Sequence, residues 1–136
     1  MITQEKIREY INLNREMLLE IFKLSSALYE IDPERYPYLD AALYTSRLDD
    51  GSISIFVLDC ENSEGNIHSD FTVYDNLLDK SLVRIPTNYL YTPLEEIKEI
   101  VRKEKQEYDK EKKNMKIHVI KREIEILKNQ LKELEN

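Results

Sequence analysis

After Pro93 the chain contains neither glycine nor proline, and most of the positions that follow are Lys, Glu, Ile or Leu. So long a stretch of strong helix formers without a breaker predicts a single α-helix. Thr92-Pro93-Leu94-Glu95 marks its start, with a hydroxyl at the N-cap, proline at the first helical position and Glu95 placed to complete a capping box. Glu96 adds negative charge at the positive end of the helix dipole. At about 1.5 Å per residue the helix would run roughly 60 Å, more than a small head can cover. Part of it is therefore expected to project or to meet another chain.

The apolar residues of this helix fall into two sets. Leu94, Ile97 and Val101, with Ile100 beside them, form a short stripe suited to packing on the head, and Tyr108 continues its phase. Lys110 to Asn114 is polar on every side. Ile117, Ile120, Ile124, Leu127, Leu131 and Leu134 then follow at spacings of 3, 4, 3, 4 and 3, the a/d pattern of a coiled-coil seam. Two partners suit such a seam: a second copy of the chain, or the amino-terminal helix of the same copy. The first is the expectation, a homo-oligomer paired through residues 117–134. Parallel pairing would set Glu123 beside the partner's Lys128, which is favourable, and Lys116 beside the partner's Lys121, which is not.

A chain of 136 residues with 41% apolar content supports one modest domain and an appendage, read as 1–92 and 93–136. Charge is split unevenly between them. Residues 1–92 carry 8 basic and 16 acidic side chains, whereas residues 93–136 carry 12 and 11. An acidic head repels phosphate backbones, so direct nucleic-acid binding by it is not expected, and a protein with a basic surface suits it better. No apolar run reaches the length of a membrane span and no leader pattern is present, which predicts a cytoplasmic protein. A single cysteine, Cys60, allows no internal disulfide.

In chain order, Thr3 to about Ile31 reads as a helix with Tyr10, Leu13, Met17, Ile21, Leu24, Leu28 and Ile31 on one face. Pro33 ends it. Ala41 to Leu48 reads as a strand, Asp49-Asp50-Gly51 as a hairpin turn, and Ser52 to Asp59 as a second, central strand. Ile67 to Tyr74 alternates as a half-buried third strand, and Leu82 to Ile85 makes a short fourth that Pro86 places at an edge. The fold expected is α+β: an amino-terminal helix, a four-stranded antiparallel meander, and the long helix.

Recognisable reaction chemistry is sparse. Asp59 to Gly65 begins like a calcium loop but has Glu64 where the sharp turn needs glycine, so no metal site is expected. His68 and His118 lack ligand neighbours at metal spacing. Cys60 has only His68 as a candidate base within the head, and Ser25-Ser26 lacks the glycines of a nucleophile elbow. With two glycines in all, no phosphate loop is possible. The reading is non-enzymatic, with no catalytic residues and no cofactor. Six tyrosines lie in or beside the strands, and tyrosines among acids equip a protein-binding surface, because an amphipathic ring anchors while charge steers. Asp49, Asp50, Glu61, Glu64, Asp70 and Tyr74 are the residues expected to meet the partner.

The run Ile85-Pro86-Thr87-Asn88-Tyr89-Leu90-Tyr91-Thr92-Pro93, followed by a Lys/Glu helix, resembles small phage-encoded accessory proteins in which an acidic sheet ends in a Pro-x-x-Tyr-Leu turn. The resemblance spans about the last fifty residues and transfers no catalytic residue. It implies an accessory protein acting in a host cytoplasm, a class that includes inhibitors of host defence. Such an inhibitor would act through a nucleic-acid-mimicking acidic surface, or as a small-ligand sponge with sites between subunits.

Overall fold

The structure, a computed structural model, describes residues Met1–Asn136. Helix α1 spans Gln4–Leu28, α2 spans Ala41–Asp49, and strands β1, β2 and β3 span Ile53–Glu61, Ile67–Asp75 and Lys80–Pro86. A 3₁₀ turn over Thr87–Tyr91 leads into α3, Leu94–Glu135. Two compact units result, Met1–Val101 and Arg102–Asn136.

Thr3 opens α1, its hydroxyl accepting from the Lys6 amide at 3.2 Å. The helix stops at Leu28, three residues short of the expected Ile31, because the amides of Ile31 and Asp32 both turn back onto the Leu28 carbonyl ahead of Pro33. Ser25 donates its hydroxyl to the Pro37 carbonyl at 2.7 Å and holds the following segment against the helix. Only the second half of α1 is covered: Leu18, Ile21, Phe22 and Leu28 are buried, whereas Ile7, Tyr10, Ile11 and Leu13 are exposed.

Residues Ala41–Leu48 form a helix, not the expected first strand, so the sheet has three strands instead of four. The local chemistry accounts for this. Asp40 accepts from the Ala42 amide at 3.0 Å as an N-cap, and Thr45 and Ser46 turn their hydroxyls onto carbonyls of the preceding turn. Gly51, at φ 83°, donates to the Leu48 carbonyl. Asp49-Asp50-Gly51 is thus the carboxyl-terminal cap of α2 and not a hairpin turn, with glycine where the left-handed conformation is required.

The sheet is an antiparallel meander in the order β1-β2-β3. With no strand before it, β1 is an edge strand, not the central one. β1 and β2 pair without interruption from Ile53↔Asp75 to Glu61↔Ile67. Asn62 shapes the turn between them, its side-chain oxygen accepting from the amides of Glu64 and Asn66 at 3.0 and 2.9 Å. β2 and β3 pair with an irregularity between Val73 and Tyr74, and Pro86 ends β3 on the other edge.

One sheet face joins α1 and the start of α3 in the core, where Ile53, Val73, Val83 and Ile85 meet Leu18, Ile21, Phe22, Leu28, Tyr36, Tyr89, Ile97 and Val101. Phe22 is almost wholly buried and stacks edge-on to Tyr44 with ring centroids 5.5 Å apart. Phe22→Ala is expected to cost about 3–5 kcal/mol of unfolding free energy, because it removes a large buried side chain and leaves a cavity between three elements. Urea denaturation measures this, and a loss under about 1 kcal/mol would contradict the packing described.

α3 begins in a different way from the capping box expected of it. The Thr92 hydroxyl donates back to the Asn88 carbonyl at 2.6 Å, while the amides of Glu96 and Ile97 turn onto the Pro93 carbonyl. The helix then runs without interruption through the polar stretch 110–114 to Glu135.

Candidate interaction surfaces

In the second unit, the helix lies open. Ile117, Ile120, Ile124, Leu127, Leu131 and Leu134 are between 42% and 85% exposed. At 3.6 residues per turn their spacing puts all six on one stripe of α3. Val119 and Ile126, also exposed, fall at the c positions, on the flank of the helix turned away from that stripe. Lys105 and Asp109 pair at 3.2 Å one turn apart, the kind of contact that keeps a polar helix face in water.

In the first unit, the six acidic and aromatic residues expected to form one surface are divided. Asp49 and Asp50 lie at the α2–β1 junction, close to the end of the sheet that holds Tyr74, the register partner of Ser54. Glu61 and Glu64 lie at the opposite end, in and after the last residue of β1. The nine residues of β1 separate the two ends by roughly 27 Å. Asp70 sits between them on the face of the sheet opposite the core.

Arginines occupy much of this acidity, which sequence reasoning missed. Arg15 donates from Nε to Asp49 at 3.0 Å. Arg84 donates to Asp70 at 2.7 Å and to Cys60 Sγ at 3.2 Å. Those contacts, Cys60 first, raise the Arg84 pKa further. Asp50 is held below its ordinary value, chiefly by hydrogen bonding to the Ser52 side chain and then to its amide. Tyr74 donates to Asp79, and this bond raises the phenol's pKa.

Asp75 is the most enclosed acid. Its side chain has no exposed surface, and its oxygens accept from Arg47 Nη1 at 3.0 Å and Nη2 at 2.6 Å. The amides of Leu77 and Leu78 also point at Oδ1, at 3.0 and 3.2 Å. Arg47 bonds Ser52 Oγ as well and lies over the Tyr44 ring, so α2 is tied to the sheet through one guanidinium. An arginine on a segment expected to be a strand gave no hint of this role. It stands four residues before the helix-capping Gly51, in the last turn of α2.

The tyrosines divide too. Tyr36 and Tyr89 are core residues, whereas Tyr38 and Tyr91 are open to solvent. Cys60 and His68 face each other across β1 and β2, but Cys60 contacts Arg84 and His68 contacts Asn62. No group of three or more His, Cys, Asp or Glu side chains converges as metal ligands would. No helix is long and apolar enough to cross a membrane.

Two open grooves flank the sheet. One, of about 390 Å³, lies between α1 and the start of β1 and is lined by Tyr10, Ile11, Asn14, Leu48, Ile53 and Ile55. The other, of about 520 Å³, is polar and includes His68, Asp70, Asn88 and Tyr91. No protein-family model, curated protein or solved structure matches the chain. Its function is therefore argued from these surfaces alone.

Proposed function

We propose that the protein is a non-enzymatic, self-associating interaction protein: the seam 117–134 pairs copies, and the acidic first unit engages a partner protein with a basic surface. The exposed Ile/Leu stripe carries the first half of this reading. Six large apolar side chains in a/d spacing on one helix face lose their contact with water when a second seam covers them, at about 25 cal/mol per Å² of apolar surface. Charge carries the second half: residues 1–101 hold 9 basic and 19 acidic side chains, against 11 and 8 in residues 102–136.

The narrower form of the proposal is a phage or prophage accessory protein that blocks host defence in the host cytoplasm, as a nucleic-acid mimic or a small-ligand sponge. Phosphate mimicry draws support from the net charge of the first unit. The Arg15–Asp49, Arg47–Asp75 and Arg84–Asp70 pairs weigh against it, since each neutralises an acid that a phosphate row would need.

Light scattering behind size exclusion tests the reading, on the full chain and on a chain ending at Lys116. The full chain is expected to be a dimer or larger and the shortened one a monomer. Two monomers would overturn the assembly half of the proposal.

A further inference from the structure

The exposed seam leaves open how the first unit holds its partner, and the sheet edge bears on that. β1 is nine residues long and has no strand on its outer side. Its ladder phase follows from the two ends of the hairpin. The Asn76 amide donates to the Ser52 carbonyl, and the Asn62 amide donates to the Asn66 carbonyl. In an antiparallel pair such bonds recur at every second residue. The even-numbered residues of β1 therefore bond to β2, and Ile55, Val57, Asp59 and Glu61 turn their backbone amides and carbonyls outward.

Natural edge strands are usually blunted by lysine, proline, a bulge or a covering segment. From Ile55 to Leu58 β1 has none of the first three: the sequence is Ile-Phe-Val-Leu, and its pairing with β2 is regular. Phe56, Val57 and Leu58 are each at least 40% exposed. Beside the strand runs the groove lined by Tyr10, Ile11 and Asn14 of α1 and by Ile53 and Ile55 of β1. The paired Arg15 and Asp49 also line this groove, and its apolar part lies at Tyr10, Ile11, Ile53 and Ile55. An open edge next to such a partly apolar groove is the arrangement that accepts an added strand, with main-chain bonds supplying affinity and alternate side chains entering the groove.

We infer that an extended basic segment of the partner adds as a fourth strand along Ile55–Glu61, with apolar residues beside Ile55 and Val57 and lysine or arginine beside Asp59 and Glu61. This rests on the reading that the first unit binds a basic protein, and it names the binding mode. Charge selects this occupant over a second copy: edge-to-edge pairing would bring together two units that each carry a net −10 and would place Asp59 and Glu61 within one shared ladder.

The probe is the peptide Lys-Thr-Lys-Val-Val-Thr-Val, labelled for fluorescence anisotropy and titrated into the full chain. Binding is expected, weakening as salt rises. In amide exchange, Ile55, Val57 and Asp59 are expected to gain protection on adding peptide, while Phe56 and Leu58, already bonded to β2, change little. Val57→Pro removes one outward donor without touching the β1–β2 ladder and is expected to weaken binding about tenfold. A peptide of the same charge with proline at its fifth and seventh positions, opposite Val57 and Ile55, lacks the amides that would donate to β1 and cannot extend the ladder. If it binds as tightly as the first, the basic-partner reading stands and strand addition is overturned. If neither peptide binds at about millimolar concentration, both fall. If Val57→Pro lowers the mass of the full-chain assembly, the edge is occupied by a second copy and the inference is overturned.

Discussion

Asp75→Asn is expected to lower the melting temperature by roughly 10 °C or more, and to remove much of the loss of stability that the native protein shows in acid. The side chain is wholly enclosed and accepts four hydrogen bonds, two from Arg47 and two from the turn amides of Leu77 and Leu78. Asparagine keeps the shape, removes the charge, and turns a donor toward groups that are themselves donors. The Arg47 guanidinium, side chain only 21% exposed, is left without its counter-ion, and an uncompensated charge costs more than a lost pair contributes.

The pH dependence follows from the direction of the shift. Arg47 first, then the turn amides, hold the Asp75 carboxyl below the ordinary value of 3.8. A carboxyl lowered in the folded state contributes stability above its unfolded value, and that contribution disappears as pH falls through the folded one. The native protein is therefore expected to lose stability increasingly below about pH 4. Asp75→Asn is expected to lose less over the same range, the remainder coming from other carboxyls such as Asp50. Thermal melts from pH 2.5 to 7 decide the matter. Equal acid slopes for the two proteins would show that Asp75 is not the acid-sensitive group.

With copies paired through the seam as proposed, Ile124→Asp is expected to leave monomers at micromolar concentration. Position 124 lies in the middle of the seam, three to four residues from Ile120 and Leu127. In a dimer each substitution removes the burial of an isoleucine, worth about 2–3 kcal/mol, and introduces a charge into the seam. Two copies together weaken association by roughly a thousandfold or more. A second readout comes from helix physics. Residues 102–136 have almost no buried side chain of their own, and isolated helices in water are marginal even in favourable sequences. The monomeric variant is expected to lose part of its helical circular dichroism, whereas Lys112→Asp, on the polar stretch, should leave both mass and helicity near those of the native chain. If Ile124→Asp keeps the native mass, the seam does not hold the copies together.

Much of the architecture is written in local signals. The 3.6-residue periodicity of α1, the alternation of Ile67 to Tyr74 and the unbroken run after Pro93 each depend on near neighbours. Their existence and type were therefore legible, as was the edge position of Pro86. Residues 41–51 were not, because an Asp-Gly pair closes a hairpin and caps a helix equally well. What separates the two is the Asp40 side chain on the Ala42 amide and the Arg47–Asp75 bond across the unit. A local rule chose the commoner use of Asp-Gly, and a contact 28 residues away in sequence decided against it.

By itself, the sequence determined an α+β chain with an acidic front, a long helix, and a repeating apolar stripe near its carboxyl end. These follow from composition and period, which no contact needs to complete. Tertiary structure decided which acids are spent on arginines, that β1 lies at an edge, and which half of α1 is covered. Those outcomes depend on where segments distant in the chain come to rest. Side-chain type says what a residue can bond to, and only packing says which partner it meets.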